Sequence, residues 1–125
     1  MLFDTRDESA QALAGRLAAY YPRMKVGTGS RDPRGFDVVV NATPLGMKDD
    51  DPLPFDVQRI APTAFVGEVV MKSEFTPLLR AVRDKGCDFQ VGTDMLFEMI
   101  PAYLEFFGFG SATPDVLRAT AHISY

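Results

Sequence analysis

The run of residues 36–41, Phe-Asp-Val-Val-Val-Asn, restricts the fold of this chain more than any other feature. Its three consecutive valines lack the alternation of apolar and polar residues that is typical of a strand with one face in solvent. Such a run predicts a strand that is buried on both faces, as in a parallel sheet. Residues 64–70 and 89–91 have the same character and predict two further buried strands.

Helical patterns separate these strands. Apolar residues recur at helical spacing before Pro22, across residues 74–85 and across residues 94–107. The N-terminal region adds only a very short apolar piece at residues 1–3 and a weak strand pattern at residues 24–27. Alternating strands and helices predict the α/β class, with a parallel sheet that carries helices on both faces.

Several polar residues are placed where a helix N-terminus needs a cap. Asp4 or Thr5 is expected to cap the first helix, and Thr93 or Asp94 the helix after the third strand. Thr113 is followed by proline and is expected to cap a short last helix. These positions therefore predict where three helices begin.

Composition and charge exclude several classes of function. The chain of 125 residues is expected to form one domain, and its net charge of -4 argues against a basic nucleic-acid surface. No apolar run approaches the ~20 residues that span a bilayer, and the acidic N-terminal region is unlike a signal peptide. The one cysteine, Cys87, is expected to pack in the core. We therefore expect a cytoplasmic protein that binds neither nucleic acid nor membrane and has no metal site.

Small and polar residues follow each of the three predicted strands. Asn41, Ala42 and Thr43 lie at the end of the first strand, Met71 follows the second and Gly92 follows the third. Ligands of open parallel sheets bind beyond the carboxyl ends of the strands. Each group alone is typical of an ordinary strand end, but three such groups on one edge favour a binding site.

Three segments, in this order along the chain, resemble the shikimate and quinate dehydrogenase family. Residues 37–47, DVVVNATPLGM, resemble the family pattern D-hydrophobic-hydrophobic-hydrophobic-N-A-S/T-x-x-G-M. EVVM at 68–71 with TPLL at 76–79 resembles D-x-V-Y-x-P-x-x-T-x-L-L, and GTDML at 92–96 resembles G-x-x-M-L. The resemblance implies a Rossmann-like α/β fold that lacks the family's first strand and its Gly-rich phosphate loop.

The same resemblance implies an NAD- or NADP-linked reduction of a cyclic keto acid of the 3-dehydroshikimate type, reversible and part of aromatic amino acid biosynthesis. Met71 stands where the family usually has Tyr, and Met99 stands where the family has a substrate-contacting Gln. A thioether cannot replace the hydrogen bonds of an amide, which argues against shikimate itself as the ligand. The resemblance places these residues beside the nicotinamide and its ribose: Asn41, Ala42, Thr43, Met71, Gly92, Met95 and Leu96.

The segment Asp4-Thr5-Arg6 bears on the choice of dinucleotide. The resemblance places it at the tip of the family's second strand, where NADP-linked members often have Asn-Arg-Thr. An Asp at this tip would accept hydrogen bonds from the ribose diol of NAD and repel the 2′-phosphate of NADP. The segment favours NAD, although Arg6 is suited to a phosphate and Asp4 is equally suited to capping the helix.

The remaining family features are expected upstream of Met1. They are the Gly-rich loop and the substrate domain with its catalytic Lys and Asp. We therefore expect this chain to be the C-terminal NAD(P)-binding portion of such an enzyme, inactive alone. The alternatives are a non-catalytic binding or assembly module that retains the scaffold, and an enzyme for a substrate other than shikimate.

The missing first strand has a structural consequence. In the family order 3-2-1-4-5-6, its absence would leave a gap of about 10 Å between the second and fourth strands. Unpaired buried strand edges are costly, because their backbone groups lose hydrogen bonds. We therefore expect the gap to be closed, by repacking of residues 1–3 or by self-association through the open edges.

Overall fold

The computed structural model describes residues 1–123 and divides into two compact units, residues 1–32 and residue 33 onward. In the first unit, α1 spans Asp7–Tyr20, and Leu2 forms an isolated parallel bridge with Thr28. The expectation of a strand at residues 24–27 is wrong, because pairing is limited to that single bridge. The cap expected from Asp4 or Thr5 is also wrong, because Arg6 is the N-cap residue of α1. Asp4 Oδ1 instead accepts a hydrogen bond from the Arg6 N–H at 2.8 Å, a local turn that ends before the helix.

The second unit contains a sheet of three parallel strands in the order β1 (Val38–Asn41), β2 (Phe65–Glu68) and β3 (Asp88–Gln90). The parallel pairing confirms the prediction from the apolar runs. Because the strands are parallel and in register, Asn41 at the end of β1 pairs with Glu68 at the end of β2. The polar ends of these two strands therefore meet at one edge of the sheet.

The core of this unit lies between β2, a 3-10 helix at Val57–Arg59 and α2 (Pro77–Asp84). Thr76 caps α2 by accepting a hydrogen bond from the Leu79 N–H at 3.2 Å, and Pro77 occupies the first turn. Gly86 follows α2 with φ of 85°, the left-handed conformation that ends many helices. Cys87 is buried in this core, which confirms the role expected for it.

The expectation that residues 36–41 are buried on both faces is wrong. Val38 and Val40 are 59% and 57% exposed, whereas Asn41 is buried. Successive side chains of a strand point to opposite faces, and the face that Val38 shares with its partner Phe65 is left open. The run of valines therefore identifies a strand of a parallel sheet that is covered on one face only.

Helices α3 (Gly92–Phe106) and α4 (Pro114–Thr120) complete the second unit. The cap expected from Thr93 or Asp94 is wrong, because α3 already begins at Gly92, with Val91 as the N-cap residue. Asp94 instead pairs with Arg118 of α4, with Nε and Oδ1 3.3 Å apart. Thr113 caps α4 as expected, accepting from the Val116 N–H at 3.4 Å. Among residues 1–123, none of the helices combines the length and hydropathy needed to cross a bilayer.

Replacing Leu79 should destabilise the second unit strongly. Leu79, on α2, is fully buried in the core that α2 forms with β2. Leu79→Ala should therefore lower the free energy of unfolding by about 2 to 5 kcal/mol. Leu53→Ala is the control, because Leu53 is 40% exposed and should cost well under half as much. Urea denaturation followed by circular dichroism measures both, and equal losses would contradict this assignment of the core.

Candidate functional site

Asn41, the last residue of β1, organises the segment that leaves the sheet. Its side chain is buried, and Nδ2 donates to the Leu45 carbonyl at 3.0 Å and to Glu68 Oε2 at 3.4 Å. Oδ1 accepts from the Thr43 N–H at 3.1 Å and from the Thr43 hydroxyl at 2.7 Å. All of these partners lie within the protein. The amide of Asn41 therefore shapes the loop and does not face open space.

The loop that follows, residues 42–51, is held by further side-chain bonds to its backbone. Thr43 Oγ1 accepts from the Leu45 N–H at 3.1 Å. Asp51 Oδ2 accepts from the N–H groups of Gly46 at 3.1 Å and Lys48 at 3.0 Å. The bond from Lys48 is the main reason that the pKa of Asp51 lies below its usual range. Gly46 itself has φ of 101°, which favours glycine.

A cavity of about 440 Å³ lies beyond the carboxyl ends of β1 and β2. Three residues predicted to bind the cofactor line it, namely Ala42, Thr43 and Met71. The other lining residues are Pro44, Met47, Val69, Val70 and Lys72. Sequence reasoning did not assign these five to the site, although all but Lys72 belong to the segments that carried the resemblance. The cavity volume lies within the range of small-molecule sites.

The other predicted site residues lie outside this cavity lining. Met95, Leu96 and Met99 are on α3, and Met99 Sδ is 4.0 Å from the Tyr103 hydroxyl. Asp4, Thr5 and Arg6 belong to the first unit. In that segment, Asp4 Oδ1 lies 4.0 Å from Arg6 Nε, so the carboxylate and the guanidinium are neighbours.

Gly92 is required by the backbone that forms one wall of the cavity. A Cβ at this position would lie 2.0 Å from the Val70 carbonyl oxygen and 2.6 Å from its carbon. The sequence had suggested that a ligand approaches Gly92. In the structure the end of β2 also lies close to Gly92, so Gly92 fixes how α3 begins against the wall.

Glu68, the last residue of β2, is a functional candidate that sequence reasoning missed. Its side chain is 3% exposed, and Oε1 is buried without a hydrogen-bond partner among residues 1–123. Burial raises the pKa of this carboxyl, while hydrogen bonds from Thr76 and Asn41 act in the opposite direction. A charged residue type at the end of an otherwise apolar strand was the available signal.

Comparison with known proteins finds shikimate and quinate/shikimate dehydrogenases among the relatives of this chain. No known family profile matches the chain. The chain is 37% identical over 120 residues to a shikimate dehydrogenase (NADP(+)) of Rhodospirillum rubrum, covering 91% of this chain and 42% of that protein. It is 40% identical over 83 residues to a quinate/shikimate dehydrogenase (NAD(+)) of Corynebacterium glutamicum, covering 66% of this chain and 28% of that protein.

A solved structure agrees with these sequence matches. The quinate dehydrogenase of Corynebacterium glutamicum in complex with NAD superposes with a TM-score of 0.78 at 33% identity. The match covers 94% of this chain and 44% of that one. The fold is therefore Rossmann-like, as the resemblance implied, and the chain spans less than half the length of these relatives.

The close approach at Gly92 can be tested by substitution. Gly92→Ala should lower the free energy of unfolding by about 1 to 3 kcal/mol, because backbone must move to admit the methyl group. Gly110→Ala is the control, since a Cβ there meets nothing within 4 Å. The two variants are compared by urea denaturation. A Gly92→Ala protein as stable as Gly110→Ala would contradict the close contact with Val70.

Proposed function

We propose that this chain, which belongs to the shikimate and quinate dehydrogenase family and matches the C-terminal portion of its members, binds a nicotinamide dinucleotide. Residues 1–125 would form one partial dinucleotide-binding domain. The single observation that carries the proposal is the cavity beyond the carboxyl ends of β1 and β2, where ligands of open parallel sheets bind.

The lining of the cavity fits a flat, partly apolar group. Met71 is 50% exposed at the rim and can lie against a ring, while Val70 and Pro44 supply apolar surface. Ala42 leaves room for close approach to the backbone, and Lys72 brings a positive charge that suits a phosphate-bearing ligand. When bound, the dinucleotide would supply the hydride chemistry, and the residues of this chain would bind and orient it.

Each residue that the resemblance pointed to keeps a distinct proposed role. Ala42, Thr43 and Met71 would contact the nicotinamide-ribose part, since they line the cavity. Asn41 would act by shaping the loop, because its amide is bonded within the protein. Gly92, Met95 and Leu96, at the start of α3, would flank the nicotinamide, as the resemblance implies.

We propose that the segment 4–6 of the first unit determines the preference between NAD and NADP. Asp4 would accept hydrogen bonds from the ribose diol, which favours NAD. Arg6 beside it keeps a site for the 2′-phosphate, with its Nε 4.0 Å from Asp4 Oδ1. The relatives include proteins named for each dinucleotide, so the segment and not the family has to decide the preference.

Turnover would require more than this chain supplies. The substrate would be a small cyclic hydroxy acid, acted on by the longer protein to which such a portion belongs. Met99 would replace an amide in contact with that substrate by a thioether, which favours a substrate other than shikimate. We propose that the chain alone has no dehydrogenase activity.

Titration of the chain with NADH and NADPH, followed by calorimetry, tests the proposal. We expect both to bind and NADH to bind more tightly. Ala42→Leu should weaken binding about tenfold, equivalent to about 1.4 kcal/mol, because the larger side chain fills the cavity. Ala12→Leu, on exposed α1 surface, should leave binding unchanged. No binding of either dinucleotide would refute the proposal, and oxidation of shikimate or quinate by the chain alone would refute its proposed inactivity.

A second candidate, an assembly module, is favoured by the open face of the sheet. Val38, Val40 and Phe65 share this face and are 59%, 57% and 37% exposed. Exposed apolar surface of this kind is typical of a protein interface. The candidate occupant is a second copy of the chain, joined through the same face.

Sedimentation velocity tests this second candidate. The chain should dimerise, and Val40→Lys should shift it to the monomer by placing a charge in the interface. Val116→Lys is the control, because Val116 is 54% exposed on α4 and outside the open face. A wild-type chain that stays monomeric at high concentration, or equal effects of the two lysines, would argue against assembly through this face.

A further inference from the structure

The carboxyl group of Glu68 lies at the junction of three segments. Asn41 contacts it from the end of β1, with Nδ2 3.4 Å from Oε2. Thr76, at the start of α2, acts on it from the other side and lowers its pKa. Both partners are neutral. Thr76 also faces the loop, since a Cβ at Gly46 would lie 3.5 Å from the Thr76 Cβ. Glu68 therefore lies on the buried side of the sheet edge, next to the residues that hold the loop after β1.

The position of Glu68 connects it to both walls of the cavity. One wall is the loop containing Ala42 and Thr43, whose fold depends on the amide of Asn41. The other wall consists of residues 69–72, which follow Glu68 directly. A displacement of the Glu68 side chain would therefore release the Asn41 amide and alter the distance between the walls.

The geometry points to Glu68 as a positioning residue for the dinucleotide cavity, acting through its hydrogen bond to Asn41 and not through its charge. This inference rests on the proposed dinucleotide binding. A buried carboxylate whose partners are neutral, and one of whose oxygens has none, is costly in its ionised form. The raised pKa of Glu68 agrees, since burial disfavours that form. Charge is therefore not what the site requires from this residue.

Orientation of the Asn41 amide is the structural effect that Glu68 exerts. Nδ2 has two protons, one for the Leu45 carbonyl and one for Glu68. With the amide turned over, Oδ1 would face the Leu45 carbonyl oxygen and Glu68 Oε2, and Nδ2 would face the Thr43 N–H. The bond to Glu68 thus favours the orientation in which Oδ1 receives the Thr43 N–H.

Two substitutions separate hydrogen bonding from size. Glu68→Gln keeps the shape and an acceptor oxygen but has no charge, whereas Glu68→Leu keeps similar volume without hydrogen bonds. Hydrogen exchange of the Thr43 and Leu45 amides, which are bonded to the side chains of Asn41 and Thr43, reports the order of the loop. We expect wild-type protection in Glu68→Gln and exchange about tenfold faster in Glu68→Leu, with a parallel loss of NADH affinity. Glu105→Leu, at an exposed position of α3, is the control and should change neither.

The exchange rates and NADH affinities of the Glu68 variants test the positioning role. Unchanged exchange and affinity in Glu68→Leu would overturn it, and so would a Glu68→Gln protein as impaired as Glu68→Leu, because charge would then be essential. If Glu68→Leu fails to fold, Glu68→Asp replaces it, since the shortened side chain keeps the charge but withdraws from Asn41. Glu68→Asp should then exchange faster than Glu68→Gln, and the reverse order would overturn the inference. If the wild-type chain binds neither dinucleotide, the proposed function fails, while the exchange measurements still decide the role of Glu68.

Discussion

The buried amide of Asn41 is the interaction on which the candidate site depends. A parallel sheet ends with its strand termini side by side, and the chain must leave this edge with its backbone groups satisfied. At the end of β1, Asn41 meets this need with its side chain. Oδ1 accepts hydrogen bonds from an N–H and a hydroxyl, and Nδ2 donates to two oxygens. These bonds hold the loop around the cavity in one shape, which would lower the entropic cost of the proposed binding.

This arrangement changes how the segment N-A-T should be understood. By resemblance, Asn41 and Thr43 were expected at the ligand, yet their side chains bond mainly to each other and to the loop. The proposed ligand contacts are the residues of the pair of strand ends that line the cavity, namely Ala42, Thr43 and Met71. A sequence pattern records which residue types a site requires, but it does not distinguish a residue that touches the ligand from one that holds the wall in place.

The sequence was sufficient where the signal is local. The parallel strands and the Thr113 cap follow from neighbouring residues, and the structure confirms them. The sequence was insufficient where burial or a helix boundary depends on contacts with residues far away in the chain. The exposure of Val38 depends on what covers a face of the sheet, and the start of α3 at Gly92 depends on the backbone of Val70. The contact between Glu68 and Asn41 joins residues 27 positions apart, so no local pattern indicates it.

Successive side chains of β1 point to opposite faces of the sheet, which explains why one strand supports two different proposals. Asn41 points to the buried face, where it joins Glu68 and shapes the cavity. Val38 and Val40 point to the opposite, open face, where apolar side chains remain exposed. Because the two faces are separated by the backbone, a charge at Val40 can disturb assembly without breaking the bonds of Asn41. The proposed ligand binding and the proposed self-association would therefore use opposite faces of the same four residues, and a result for one proposal does not decide the other.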